Sequence, residues 1–398
     1  MQASSTETVR RSGPGASPAF AISAIGVVLV ALTTRQAVSG VPPILADLGL
    51  APTVASVLVA IPVLCFSLGA LAGPALRARF GEERALFLMM AALLTGLVLR
   101  AVWPSWALFP GTILAGLSIA VINVLLPSLV KRRFPNRIGP MMAAYTMAMA
   151  IGASVASGLT ALVLREADGA IGVALGVWAI PTAIALVAWL PQLRLHGESG
   201  SSASGRTIHV WRQPLAWHVL FYMGMQSLLF YGPLSWLPAI YRDRGVDPAE
   251  AGLLLMVFNG FGIVGNFAAP MIASRLPDQG PAVATAIVMY TVGLLGVLLA
   301  PTSTALLWAI VLGIAQGANL SLALLVIVLR SSDGDVAAAL SGMAQSGGYL
   351  IASTGPLVMG LLYTATGGWT VPLLFLLAVA GLIWIPGMMA ARSRVITR

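Results

Sequence analysis

The sequence has 398 residues, of which 58% are hydrophobic and only 9% are charged, with a net charge of +9. A soluble globular domain carries roughly 25% charged residues, so a chain of this size with so few charges cannot cover its surface in water. The composition therefore excludes soluble enzymes, nucleic-acid-binding proteins and disordered chains, and it predicts an integral membrane protein whose positive charge reflects membrane topology.

The predicted elements begin with a polar tail at 1–19, which has no convincing signal-peptide cleavage site. A membrane-spanning helix needs about 20 apolar residues, and the apolar runs do not alternate with polar residues as barrel strands do. We therefore predict an all-α membrane protein with twelve transmembrane helices at 20–41, 53–76, 85–102, 107–130, 138–164, 170–190, 215–240, 250–274, 282–300, 303–329, 336–363 and 369–390.

These spans form two six-helix bundles, predicted at 20–190 and 215–390. Between them, 191–214 is the one long hydrophilic stretch, and its Gly/Ser-rich centre is typical of a flexible linker. A short tail at 391–398 ends the chain.

Lysine and arginine residues are distributed unevenly between the two sides of the predicted membrane. Seventeen fall on the side of both termini and of the 191–214 linker, four (Arg100, Arg165, Arg242 and Arg244) fall on the other side, and Arg35 lies within a span. Positively charged loops stay in the cytoplasm. This predicts a multi-pass protein of the bacterial plasma membrane with both termini in the cytoplasm.

The two bundles resemble each other in sequence. Gly49–Pro52 overlays Gly245–Pro248 at an offset of 196, and Ala143–Ala153 overlays Ala338–Gly348 at an offset of 195. Two parallel six-helix repeats joined by a cytoplasmic linker predict the fold of a major facilitator transporter. In that fold the substrate binds near the bilayer midplane, between the halves.

Arg35 is the strongest candidate for a binding residue. It lies well inside the first span, in the run TTRQ, where a buried arginine costs at least about 2.5–3.5 kcal/mol and marks a functional site. Its flat fork of donors suits a planar or linear acceptor group. The structural alternative is that Arg35 caps backbone carbonyls near Pro42–Pro43 or pairs with Asp47 across a bent helix.

All thirteen acidic residues fall in loops, tails or span ends. Arg35 therefore has no obvious counter-ion within the spans, and a proton-coupling carboxylate is not seen there. The sequence also lacks the nucleotide-binding motif GxxxxGK[ST]. Together these observations favour facilitated diffusion, or coupling carried by the protonation of the substrate itself.

Polar and aromatic side chains within the spans are the remaining candidates for substrate contact. Several share a helix face at spacings of three, four or seven residues, and the repeat offset places Arg35 opposite Phe230 or Tyr231. Each could instead join helices, since membrane helices use Asn and Gln for interhelical hydrogen bonds. The candidates are Gln36, Asn123, Tyr145, Gln226, Phe230, Tyr231, Trp236, Asn259, Gln316, Asn319, Gln345 and Tyr349.

Three segments carry a family resemblance: INVLLPSLVKRRFPNRIG (Ile122–Gly139), MGMQSLLFYGPLSWLPAIYRDRGVDPAEAGLLL (Met223–Leu255) and ALSGMAQSGGYLIASTGPLVMGLLYTATGGW (Ala339–Trp369). They resemble the cyanate/2-nitroimidazole transporter family, CynX/NimT, of the major facilitator superfamily. The resemblance covers nearly the whole chain and implies a twelve-helix permease for cyanate or for 2-nitroimidazole. Arg35–Gln36 falls where the family commonly carries Leu-Arg-Pro, and the proline is absent here.

The resemblance to the wider superfamily also implies a gating loop between spans 2 and 3. Its pattern, G-x-x-x-D-R-x-G-R-R, is degenerate in this chain. Arg79, Gly81 and Arg84 are retained, whereas Ala78 stands at the aspartate position.

The sequence thus predicts a permease for a small anionic or nitro/azole-like solute that is bound by Arg35. The alternative is a drug exporter of broader specificity, whose aromatic cavity contains Phe230, Tyr231, Trp236 and Tyr349. A sensor would need a soluble domain, and a Ser/His/Asp set or HExxH motif for an enzyme is not evident. The single cysteine excludes a cysteine-based metal site. We expect a monomer in the lipid bilayer that carries a small molecule, without metal, cofactor or nucleic acid.

Overall fold

The computed structural model describes residues 18–69, 72–134, 137–194, 210–332 and 334–396, and this part of the chain is helical apart from turns and one isolated β-bridge. The predicted all-helical class is confirmed. The first half contains α1 (Pro18–Ser39), α2 (Pro52–Gly69), α3 (Gly73–Phe80), α4 (Glu82–Val102), α5 (Leu108–Arg133), α6 (Ile138–Glu166), α7 (Ile171–Gly176) and α8 (Ala179–Trp189). The second half contains α9 (Pro214–Arg242), α10 (Pro248–Ala273), α11 (Gly280–Leu299), α12 (Ala305–Leu329), α13 (Gly334–Thr366), α14 (Thr370–Leu382) and α15 (Trp384–Ala391).

Eleven segments of the described chain are long and apolar enough to cross a membrane. Helix α9 is not among them by composition, but it has 29 residues and coincides with the predicted seventh span, 215–240. We call the side of the protein that carries Pro18 and Ala391 the terminal face, and the other side the opposite face. Because the spans alternate in direction, α1 ends at the opposite face and α9 does the same.

Some predicted boundaries differ from the structure. The second span ends at Gly69 rather than at residue 76, and α3 follows it as a separate short helix. Spans 6 and 12 are each divided into two helices, α7/α8 and α14/α15, so the two halves share this break. The predicted linker and N-terminal tail lie mostly outside the described residues.

The predicted C-terminal tail is partly built into the fold. Ile396 is buried and forms a parallel bridge with Ser331, at the end of α12. The buried Arg330 guanidinium donates to the carbonyls of Ala390 and Ala391, which are free because they lie in the last turn of α15. The sequence did not indicate this docking, since a short polar segment is usually solvated.

The internal repeat is visible in the backbone. Gly49 and Gly245, which are 196 residues apart, both take the left-handed conformation, with φ of 64° and 84°. A residue without a Cβ adopts this conformation without strain. Gly49 lies in the connection from α1 to α2, and Gly245 lies in the connection from α9 to α10. Both halves therefore make the same turn into their next span.

The two halves contact each other along two helix pairs, α2 with α13 and α6 with α10. Small residues permit the close approach that membrane helices need when no hydrophobic effect drives them together. Within the second half, a Cβ at Gly317 of α12 would lie 1.9 Å from the Gly262 carbonyl oxygen of α10. Backbone thus packs against backbone along the helices that frame the space between the halves.

This packing predicts the effect of Gly317→Ala. The added methyl group would force α10 and α12 apart, and overpacking of this kind costs about 1–3 kcal/mol. We expect a clear fall in the melting temperature of the purified protein in detergent.

Gly342→Ala is the matched control, because a Cβ at this helical position meets no atom within 4 Å. Its melting temperature should stay the same or rise, since alanine favours the helix over glycine. Equal melting temperatures for the two variants would contradict the packing described here.

Candidate functional site

A cavity of about 220 Å³ lies between the two halves. It is formed by α1 and α6 of the first half and by α9, α10, α12 and α13 of the second. Its polar and aromatic lining consists of Arg35, Thr146, Gln226, Ser227, Phe230, Tyr231, Phe258, Asn259, Asn266, Gln316, Ser321 and Tyr349. Asn266 and Leu324 line it in the terminal-face halves of α10 and α12, so the cavity extends from the level of Arg35 toward that face.

Arg35 lies close to the midpoint of the apolar stretch Phe20–Leu48, and its side chain lines the cavity. Nη1 donates a hydrogen bond of 2.8 Å to the Tyr231 hydroxyl. The guanidinium carbon lies 5.9 Å from the ring centres of both Phe230 and Tyr231, within the range of a cation–π interaction. Among the described residues, none of the ion pairs involves Arg35 and no carboxylate lines the cavity.

The structural alternatives for Arg35 are not realised. Asp47 forms a two-pronged ion pair with Arg242 of the second half, at 2.7 and 2.9 Å. The Pro43 carbonyl also accepts from Arg242, at 3.4 Å. The cation that holds the end of the first span is therefore Arg242, and Arg35 is left with a phenol as its hydrogen-bond partner.

Arg35 and Tyr231 occupy equivalent positions in the two halves, 196 residues apart. A side chain can touch its own repeat equivalent only near the axis that relates the two repeats. The contact therefore lies at the centre of the molecule, where a parallel repeat of this kind places its substrate site.

Amide side chains of the second half line part of the cavity. Gln316 donates to the side-chain oxygen of Gln226 at 3.2 Å, and Gln226 donates to the Ser227 hydroxyl at 2.8 Å. Asn259 donates to Ser157 of the first half at 3.1 Å. These amides line the cavity and also join helices, so they combine the two roles that the sequence left as alternatives.

Three candidates from the first half lie outside the lining of the cavity. Gln36 is buried beside Arg35, and its Oε1 has no hydrogen-bond partner among the described residues. The Tyr145 hydroxyl donates to Asn123 at 3.4 Å, so these two side chains join α5 to α6.

Three candidates from the second half also point elsewhere, which corrects their assignment to the cavity. Trp236 donates to the Pro356 carbonyl at 2.8 Å and packs against Trp369 near the opposite face. Asn319 donates to the carbonyls of Ala286 and Ala315, toward α11. Gln345 donates to Ser341 on its own helix at 2.8 Å.

The residues of the predicted gating loop lie at the junction of α3 and α4. Arg79 packs on the ring of Phe80, and Gly81 has a φ of 78° that permits the turn into α4. Arg84 is exposed in the first turn of α4. The contacts of Arg79 and Gly81 lie within α3 and the first turn of α4.

The cavity also includes residues that the sequence analysis did not select. Phe258, Gly262 and Asn266 follow one face of α10 at spacings of four residues, and Phe258 stacks with Phe230 at 6.0 Å. On α12 the small residues Gly313 and Gly317 flank Gln316. A search for helical stripes of small and polar residues would have found both faces.

The comparisons with known proteins agree with this architecture. Residues 23–312 match the model of the Major Facilitator Superfamily. The chain is 35% identical to the 2-nitroimidazole transporter of Escherichia coli (strain K12), over 93% of this chain and 95% of the relative. It is 28% identical to the cyanate transport protein CynX of the same organism, over 90% and 94%.

A similar fold is found in a solved structure of low sequence identity. The crystal structure of a bacterial homolog to the human lysosomal transporter Spinster, in an inward-facing and unoccupied conformation, aligns with a TM-score of 0.76. The alignment covers 95% of this chain and 98% of that chain at 14% identity.

The ion pair between Asp47 and Arg242 joins the two halves at the opposite face, and Asp47→Asn should weaken this closure. A partly exposed pair contributes about 1 kcal/mol at most, which corresponds to a roughly fivefold shift in population. We expect more molecules with separated halves at this face. The distance between spin labels at Ser105→Cys and Thr302→Cys, in a Cys65→Ser background, measures the shift.

Glu166→Gln is the matched control. It breaks an exposed ion pair with the neighbouring Arg165, and both residues belong to the first half. The double change Asp47→Arg with Arg242→Asp should restore the short distance. A distance distribution that is unchanged in Asp47→Asn would show that the pair does not hold the closure.

Proposed function

The chain belongs to the Major Facilitator Superfamily, among the relatives of cyanate and 2-nitroimidazole transporters, and we propose that it carries a small anionic or nitro/azole-like solute across the plasma membrane by alternating access. In this proposal Arg35 binds the acceptor group of the solute. The cavity between the halves is the binding site, and the two halves rock about it.

The observation that carries the proposal is the position of the Arg35 guanidinium and the set of groups around it. It lines the cavity, it has the phenol of Tyr231 as its hydrogen-bond partner, and no carboxylate of the described residues lines the cavity with it. A buried cation of this kind is stabilised by a ligand that brings negative charge or a strong dipole. Its remaining N–H groups are suited to the two oxygens of a nitro or carboxylate group.

The size and the walls of the cavity favour a planar solute. A cavity of about 150 Å³ in another protein holds a benzene molecule, so the space of about 220 Å³ here admits a single substituted ring. The rings of Phe230, Tyr231, Phe258 and Tyr349 line it. Aromatic faces stack on planar heterocycles, while a triatomic anion such as cyanate would leave most of the space to water.

The alternative of a broad drug exporter rests on the same aromatic side chains, with Trp236 now outside the cavity. Lipophilic cations are the substrates that an aromatic cavity with a carboxylate would favour. Here the fixed charge at the cavity is positive, so cations are repelled. A cation such as ethidium is therefore the informative negative control in any transport assay.

The terminal face is the cytoplasmic face in this proposal, because it carries most of the arginine residues. The links at the opposite face include the Asp47–Arg242 pair. With this orientation, the cavity of the structure extends toward the cytoplasm. In this conformation the protein, as a monomer, releases or takes up the solute on the cytoplasmic side.

Arg35→Gln tests the role of the guanidinium. Hydrogen bonds to a charged group are worth about 1.5–3 kcal/mol, so we expect binding of cyanate or 2-nitroimidazole to weaken roughly 10- to 100-fold. Equilibrium binding and counterflow in proteoliposomes measure the loss. Arg35→Lys should recover part of it, because it keeps the charge but not the flat fork.

Arg77→Gln is the matched control, since this arginine contacts Ser128 away from the cavity. It should bind and transport like the unaltered protein. Unchanged affinity in Arg35→Gln, with an unchanged melting temperature, would remove Arg35 from the site.

The composition of the cavity also predicts the response to a proton gradient. The described lining contains no Asp, Glu or His, the side chains that form proton relays in membrane transporters. We expect cyanate flux in proteoliposomes, at a clamped membrane potential, to be the same with and without an imposed pH gradient. A severalfold acceleration by the gradient would contradict facilitated transport.

A further inference from the structure

The amide side chains that line the cavity differ in what they bind. Gln226 and Gln316 are joined to each other at 3.2 Å. Asn259 is bonded to Ser157 at 3.1 Å. Asn266 of α10 lines the same cavity, but among the described residues its side chain has no hydrogen-bond partner. The protein therefore leaves the Asn266 amide to whatever occupies the cavity.

The amide of Asn266 is also accessible. Gln316 Oε1 is an unpaired atom that the packing seals off, so a solute does not reach it. Asn266 is partly exposed, and neither of its amide atoms is among the sealed, unpaired atoms of the described chain. An amide without a partner is costly inside a protein, so water or a solute must supply its hydrogen bonds. Asn266 offers both a donor and an acceptor for this purpose.

Asn266 lies nearer the terminal face than the aromatic rings around Arg35. The Arg35 guanidinium carbon is 5.9 Å from the ring centre of Phe230, and Phe230 stacks with Phe258 of α10 at 6.0 Å. Asn266 follows Phe258 by eight residues on the same helix, which is a rise of about 12 Å. Two hydrogen bonds of about 3 Å each leave about 6 Å of this rise for a solute, roughly the length of a benzene ring with a polar atom at each end.

Glycine residues line the cavity between these two levels. Gly262 lies midway between Phe258 and Asn266 on α10, and Gly313 and Gly317 line the cavity from α12. Glycine lets a ligand approach the backbone closely because it has no side chain. The cavity thus has a polar group at each of two levels and a flat wall between them, which suits a single planar ring.

We propose that Asn266 is a specificity-determining residue that binds the far end of the solute. The substrate class is then a single-ring aromatic anion or nitro compound whose ring carries a hydroxyl or amino group opposite the acid or nitro group. Arg35 binds the acid or nitro group, and Asn266 exchanges a hydrogen bond with the group at the other end. The inference rests on the proposed function, since it takes Arg35 as the residue that binds the acceptor group.

A pair of benzoates tests this assignment, because the two acids differ only at the far end of the ring. The acids para-hydroxybenzoate and para-methylbenzoate have nearly the same size, and each carries a carboxylate at neutral pH. A neutral hydrogen bond changes affinity by up to about tenfold, so we expect the unaltered protein to bind para-hydroxybenzoate about three- to tenfold more tightly. Equilibrium binding of the two radiolabelled acids to the purified full-length protein in detergent measures this preference.

Asn266→Leu keeps the size of the side chain and removes its donor and acceptor. The preference for para-hydroxybenzoate should disappear or reverse. The melting temperature should not fall, because the Asn266 side chain has no hydrogen bond to lose among the described residues. Asn266→Ala carries the same expectation and replaces Asn266→Leu if that variant does not fold. Arg35→Gln should weaken the binding of both acids to a similar extent and keep the preference.

Gln345→Leu is the matched control, since Gln345 donates within its own helix and is not part of the described lining. It should bind both acids like the unaltered protein, and a loss of preference there would count against Asn266.

Three further outcomes separate the two proposals. A preference that persists in Asn266→Leu, or equal binding of the two acids by the unaltered protein, would remove Asn266 from the site and leave Arg35 in place. Binding of 2-nitroimidazole without either benzoate would overturn the substrate class inferred here, but not the proposed function. Failure of the unaltered protein to bind 2-nitroimidazole, cyanate or either benzoate would overturn the proposed function itself.

Discussion

The Arg35 guanidinium is a positive charge held at mid-depth in a protein whose described interior offers it no carboxylate. A charge in that position is costly unless it is paired or solvated. The structure reduces the cost with a hydrogen bond from Nη1 to Tyr231 and with the faces of two aromatic rings. The rest of the solvation must come from whatever fills the cavity. This makes the contents of the cavity part of the stability of the fold, and it favours contents that are rich in electrons.

The internal repeat explains why this charge has an aromatic partner rather than a second arginine. Two identical halves would place the same residue on both sides of the axis, and two guanidinium groups at hydrogen-bonding distance would repel each other strongly. Divergence of the halves allows Arg35 in one and Tyr231 in the other. The same divergence occurs at the opposite face. There Asp47 pairs with Arg242 across the halves, while the repeat equivalent of Asp47, Asp243, accepts from Tyr363 and Trp369 within the second half.

Sequence reasoning recovered the elements whose signals are local and strong. Long apolar runs predicted the helices, and a charge within such a run drew attention to Arg35, which lines the cavity. It failed where the rotation of a helix decides the outcome. Trp236 and Asn319 lie on the same helices as cavity residues but point toward α13 and α11. These helices are apolar on most sides, so a polar stripe does not specify which side faces the axis.

Arg100 was misplaced for a related reason. An arginine near the end of a predicted span is usually free to reach the interface, and the sequence contains no sign that the end of α1 covers it. Only its burial and its hydrogen bond to the Ala37 carbonyl of α1 show that its charge stays inside. Arg100 has no described ion pair, and it is not part of the cavity lining. The charge at the cavity is that of Arg35, and a positive charge there lowers the free energy of an anion and raises that of a cation. In the proposed function, Arg35 therefore selects for the charge of the solute, and the aromatic lining of the cavity selects for its shape.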